Sequence, residues 1–179
     1  MCSTRRSKQK ALAQVKHAVA LDFKPIDLAR HANTCIQFAE ETELCSFGSV
    51  VGFREADGQG TQRFIERIQV KLDNDSQSCL HVWHNGDIIG QLHLGQFLDE
   101  AIGYIHLFYV APEWRGKSIA PQLDAYAMTH FQKRGFPLAR LSVAPANTRA
   151  VRFYLSRGWM DLGPRIDKPD VHNMEKSCG

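Results

Sequence analysis

The segment from Phe108 to Ala120 constrains the fold of this chain more than any other stretch, because it makes a strand stop and a helix start within one turn. Phe108, Tyr109 and Val110 suit a strand, and Pro112 ends it because proline has no N–H to give to a ladder. Gly116 lets the backbone turn or come close to a ligand. From Ser118 to Gly135 the period becomes helical, with Ile119, Leu123, Tyr126, Ala127 and Phe131 on one stripe. The first amides of such a helix have no internal partners and sit at the positive end of its dipole, which suits a pyrophosphate. Arg115 and Lys117 add two cations there. Read alone, the same segment is equally a solvated turn with ordinary charges.

The flanking sequence supplies the remaining elements. Leu21–Pro25 reads as a strand and Asp27 to about Thr42 as a helix capped by Asp27. Phe47–Phe53 is apolar with small residues, and Asp57–Gly60 is a loop. Phe64, Ile65, Ile68 and Leu72 mark a second helix. Asn85-Gly86 between Cys79–His84 and Asp87–Leu94 is a hairpin signal, and Ala101–Val110 extends it to a three-stranded meander. Leu138–Ala144 is a strand and Asn147–Arg157 a helix stopped by Gly158. Trp159–Gly163 and His172–Lys176 pair as terminal strands. The fold class is therefore mixed α/β (α+β), with a helix crossing from the meander into a later strand.

Length and composition narrow the partners. The 179 residues allow one well-buried domain, expected over 21–179 and preceded by a flexible basic arm over 1–20. Arg5, Arg6, Lys8, Lys10 and Lys16 precede the first acid, Asp22; taking these five from the 22 basic residues leaves 17 against 19 acidic ones. So nearly neutral a body argues against a nucleic-acid partner. No apolar run reaches the roughly 18 residues of a membrane span. The apolar stretch after the basic start is broken by Gln14, Lys16 and His17, unlike a signal peptide, so the expected location is cytoplasmic. Cys2, Cys35, Cys45, Cys79 and Cys178 form no C-x-x-C pair, and His81 and His84, three apart in a strand, fall on opposite faces, so no metal site is expected.

A second segment, Leu141–Trp159, joins the first. It reads as a strand, a helix led by Asn147, and Tyr154 two turns further along the same face, before Gly158 and Trp159. A helix tyrosine standing alone is most simply a packed core residue. Together, the two segments resemble the GCN5-related N-acetyltransferase (GNAT) family over about Trp83–Trp159. The resemblance lies in the signature of Gln or Arg, two residues, Gly, one residue, and Gly or Ala. Arg115 takes its first place and Ala120 its last. Ser118 departs from the usual glycine, although its amide still binds phosphate and its hydroxyl can cap the helix.

The resemblance implies a central, mostly antiparallel sheet with one splayed parallel strand pair, flanked by helices, that holds acetyl-coenzyme A as acyl donor for an amine acceptor. The implied donor-binding residues are Phe108, Tyr109, Val110, Arg115, Gly116, Lys117, Ser118, Ile119, Ala120, Asn147 and Tyr154. Tyr154 is the implied acid for the departing thiolate. His106, placed with Phe108 and Val110 on one strand face, is the preferred base over Tyr104, His93 and Glu100. A module that binds acyl-coenzyme A without turnover is the alternative, to which Ser118 lends some weight. A homodimer stays open, and the acceptor's identity carries no signature.

Overall fold

The computed structural model describes residues 19–55, 57–97 and 101–179. The basic cluster Arg5–Lys16, Cys2 and Glu100 lie outside these. Along the chain run β1 (Asp22–Pro25), α1 (Leu28–Phe47), α2 (Val51–Arg54), α3 (Gly60–Asn74), β2 (Cys79–His84), β3 (Asp87–Gln96) and β4 (Ile102–Val110). A single 3-10 turn at Pro112–Trp114 leads to α4 (Ile119–Lys133), β5 (Leu138–Val143), α5 (Thr148–Ser156), β6 (Met160–Pro164) and β7 (His172–Ser177). The strands form one sheet in the order β1-β2-β3-β4-β5-β7-β6. Its β4 and β5 run parallel, bridged by α4, as parallel neighbours require a crossover.

Local chemistry sets most of these boundaries. Asp27 caps α1, its carboxylate accepting from the Arg30 amide at 3.3 Å. The helix passes the expected end at Thr42 and stops at Gly48, which takes the left-handed conformation (φ 69°) and donates to Leu44 O. The apolar 47–53 stretch contributes the short helix α2. Asn85 and Gly86 both have positive φ (51° and 92°), the backbone a two-residue hairpin of this twist demands.

Helices cover both sheet faces. On one, Phe38 and Ala39 of α1 pack on Leu107 and Tyr109, while Cys35 of α1 and Ile68 of α3 meet Ile26 and Cys79. On the other, Ala127 and Phe131 of α4 and Tyr154 of α5 pack on Leu92, Leu94, Ile105, Ala139 and Leu141. Gly103 lets α4 approach this closely, since a Cβ there would stand 2.4 Å from the Phe131 ring. Asp124, fully buried on α4, accepts from Trp159 Nε1 (2.8 Å), Lys176 Nζ (3.0 Å) and Arg157 Nε (3.2 Å), joining α4 to the end of α5 and to β7.

Under α1 and α3 a polar row crosses the sheet. His81 donates from Nε2 to Gln91 Oε1 (3.1 Å), and Gln91 donates in turn to His93 Nε2 (2.9 Å), which places the His93 proton on Nδ1. Burial lowers the pKa of His81 to about 4 and that of His93 to about 3. Below pH 6.5 the unfolded chain therefore takes up protons that the folded protein refuses, so stability is full above that pH and declines as pH falls. Urea unfolding at about pH 7.5 and 5.5 should show a loss of about 1.4 kcal/mol over that interval for each of these two rings. A flat profile over that interval would contradict the neutral row.

Candidate functional site

The site is built where two parallel strands separate. Pairing between β4 and β5 runs from Ile102↔Leu138 to Ile105↔Leu141 and then ends. Opposite, on β3, the register steps from Leu94↔Ile105 to His93↔Leu107, which leaves His106 as the extra residue of a β-bulge. A bulge bends and twists its strand, and the separation begins at this residue. Beyond it, the Ala111 amide donates to Ile89 O at 2.9 Å. Because peptide groups along an antiparallel strand alternate in direction, those of Phe108 and Val110 point away from β3, toward the side that β5 has left.

A cavity of about 730 Å³ occupies the opening. Its walls are Phe108, Tyr109 and Val110 of β4, Arg115, Gly116, Ser118, Ile119 and Ala120 of the turn and α4, and Asn147, Phe153 and Tyr154 at α5. Ten of the residues expected from the sequence thus meet around one space, while Lys117 and His106 are not part of its lining. Thr42 and Cys45 from the end of α1, together with Ala150 and Phe153, also line it. No motif marks those four, and they arrive only through the packing of α1 and α5.

The anion-facing end has the anticipated form. The amides of residues 116–120 donate to no acceptor among the described residues, and Pro121 has no N–H to orphan. Arg115 turns inward, its Nε donating to Val110 O at 2.8 Å, and Lys117 Nζ lies 4.6 Å over the Trp114 ring. Ser118 corrects the expectation that its hydroxyl caps α4. It makes no capping bond and instead sits in the left-handed region (φ 61°, ψ 25°), the conformation a glycine at that place would take freely. The amide array therefore keeps its shape at the cost of local strain.

Tyr154 is buried, 5.8 Å from Phe108 and 5.8 Å from Trp159 between ring centroids. Its hydroxyl has no hydrogen-bond partner among the described residues, and burial with the nearby Asp124 carboxylate pushes its pKa above the usual phenol range. It stays protonated. Asn147 caps α5, Oδ1 accepting from the Ala150 amide at 3.2 Å. Tyr109 turns its ring to Phe38 on α1 (4.3 Å) and donates its hydroxyl to Glu41.

His106 does not share a face with Phe108 and Val110, contrary to strict alternation. The bulge puts two consecutive residues, His106 and Leu107, on the α1–α3 face, while Ile105, Phe108 and Val110 face α4 and α5. The imidazole lies against Tyr104 (4.8 Å) and close to Gly95, with one side open to solvent. Crowding and the neighbouring Lys71 draw its pKa below the ordinary value, so the ring is neutral at pH 7.

The strain at Ser118 is measurable. Ser118→Gly should raise stability by about 0.5 kcal/mol, the ~1 kcal/mol relief of a left-handed non-glycine residue less the added unfolded-state entropy of glycine. Denaturant unfolding checks it; a loss of stability would contradict the assigned backbone.

The description "Acetyltransferase (GNAT) family" matches residues 37–159, well over half of the chain. An aminoalkylphosphonate N-acetyltransferase of Salmonella typhimurium is 28% identical over 151 residues, covering 82% of this chain and 94% of the relative. The fold is shared with PaiA N-acetyltransferase of Thermoplasma acidophilum, solved in complex with coenzyme A (TM-score 0.69, 18% identity, 88% of this chain and 99% of that one). It is shared too with YncA of Salmonella typhimurium, a putative acetyltransferase solved with its cofactor acetyl-CoA (TM-score 0.68, 12% identity, 89% and 95%). The strand-to-helix turn, the separating strands and the matched segment converge on one conclusion: the chain belongs to the GNAT family of acetyltransferases.

Proposed function

We propose that this protein transfers an acetyl group from acetyl-coenzyme A to a primary amine by direct attack, within one catalytic domain over residues 21–179. The observation that carries this reading is the row of partnerless amides at 116–120, of which Gly116, Ser118, Ile119 and Ala120 line the same cavity as Tyr154. These amides, with Arg115 and Lys117, would hold the pyrophosphate. The outward peptide groups of Phe108 and Val110, with Asn147, would hold the pantetheine arm and steady the charge developing on the carbonyl oxygen. Acetyl-coenzyme A supplies an activated thioester, and the chain's residues position it and manage protons.

Alignment of the reacting groups in such a cleft is worth about 7–11 kcal/mol. The amine nitrogen bonds to the carbonyl carbon and the carbon–sulfur bond breaks. His106, neutral at the start of the strand separation, accepts the amine's proton, directly or through water. Tyr154 gives its hydroxyl proton to the leaving sulfur. Similarity to an enzyme named for aminoalkylphosphonates supports a small primary amine as acceptor, alongside the option of a protein amine.

Thiol release from acetyl-coenzyme A with a panel of amines tests the reading. Tyr154→Phe should lower kcat about 100-fold while the Kd for acetyl-coenzyme A changes less than about twofold; an unchanged kcat would make Tyr154 a packing residue. Since the His106 pKa is lowered, its protonation should curtail kcat/KM only below pH 6.5, and His106→Gln should abolish that limb. An acid limb above 6.5 that survives His106→Gln would exclude this base.

A further inference from the structure

On the α1–α3 face, beside the origin of the strand separation, Lys71 and His106 converge over Gly95. Lys71 Nζ and His106 Nε2 each stand 2.7 Å from the point a Cβ on Gly95 would occupy, so the two nitrogens are no more than twice that distance apart. The missing side chain at Gly95 makes room for both nitrogens, and any larger residue would displace them. Lys71 reaches in from α3, half-buried, and its ammonium has no carboxylate or hydrogen-bond partner among the described residues. The titratable groups that act on it are Arg67, Cys79, His93 and His106, none of them an acid with a negative charge at neutral pH. Two carboxylates elsewhere on this face are already engaged, Glu41 by the Tyr109 hydroxyl and Glu175 by Arg140.

An ammonium taken partly out of water without a counter-charge is a costly arrangement unless something anionic joins it. It stands next to the residue assigned as base for the incoming amine. From these positions we infer that Lys71 binds an acid group of the acceptor, so that the substrate is a short zwitterion whose amine lies at His106 and whose carboxylate or phosphonate lies on Lys71. The close approach of the two nitrogens fits a spacer of one or two carbons. A polycationic acceptor would bring further positive charge against Lys71 and Arg67 and is disfavoured; a neutral alkylamine leaves the ammonium unpaired. This inference rests on the transferase reading for the role of His106, but the anion site at Lys71 stands on its own geometry.

The experiment has two arms, each run on the full chain with acetyl-coenzyme A bound. In the first, thiol release is compared for aminomethylphosphonate, glycine, ethylamine and spermidine, with Lys71→Met and Lys71→Arg beside the wild type. At least one acid-bearing amine should exceed ethylamine and spermidine by about 100-fold in kcat/KM. Lys71→Met should raise its KM about tenfold or more with a smaller change in kcat and an unaltered Kd for acetyl-coenzyme A, and Lys71→Arg should restore most of it. In the second arm, calorimetry with aminomethylphosphonate or glycine should show binding that Lys71→Met weakens by the same factor, whether or not turnover occurs; thermal unfolding confirms that the variant is folded. Binding that depends on Lys71 without turnover would sink the transferase reading and leave the anion site standing. Equal or better turnover of ethylamine or spermidine, or acid binding indifferent to Lys71→Met, would overturn the anion site, as would the absence of acid binding in both arms.

Discussion

One irregularity governs the site: the bulge that inserts His106 into β4 at the point where β5 stops pairing. A regular strand would keep its peptide groups bonded to both neighbours and leave no free edge inside the sheet. The bulge redirects β4, so that Phe108 and Val110 turn their peptide groups to a cavity rather than to β5, where Arg115 Nε takes up the Val110 carbonyl. Orphaned polar groups inside a protein are costly, and a ligand that satisfies them is the natural resolution. The same redirection carries the strand into the turn before α4, whose free amides close one end of the cavity.

The sheet thereby gains two working faces joined through the opening. On the α4–α5 side lie Tyr154, Asn147 and the amides of the turn. On the α1–α3 side lie His106, His93 and Lys71, with Gly95 leaving room between them. Asp124 holds the first face by binding Trp159, Lys176 and Arg157, and so fixes the wall against which Tyr154 packs. The Gln91-bridged histidines fix the second. The two faces thus rest on separate polar networks, so that under the proposed function a change beside the donor need not disturb the acceptor side.

Much of this was legible in the residues because it depends on short-range chemistry. Pro112, Gly116 and the periodic stripe from Ile119 to Phe131 mark the strand end and helix start, and Asn85-Gly86 marks the hairpin. Three things were not. The bulge at His106 has no composition of its own, and without it the alternation of β4 assigns His106 to the wrong face. The length of α1 depends on Gly48 as its stop, and an apolar stretch from Phe47 to Phe53 does not announce a helical turn. Thr42, Cys45 and Phe153 reach the cavity only through tertiary packing, and the meeting of Lys71 with His106 joins residues far apart in the chain across a glycine whose importance is the absence of a side chain. Ser118 is the instructive middle case: its identity argued for a cap, while its backbone performs the task of the glycine it replaces.

The account turns on whether the amides past Trp114 and the outward peptide groups of β4 grip the donor. Amide NMR of the isotope-labelled protein titrated with coenzyme A reads this directly, residue by residue. The account predicts that the largest shifts fall on Gly116 to Ala120 and on Phe108 and Val110. Binding that leaves these amides unmoved while perturbing another surface, or no perturbation at saturating ligand, would contradict it.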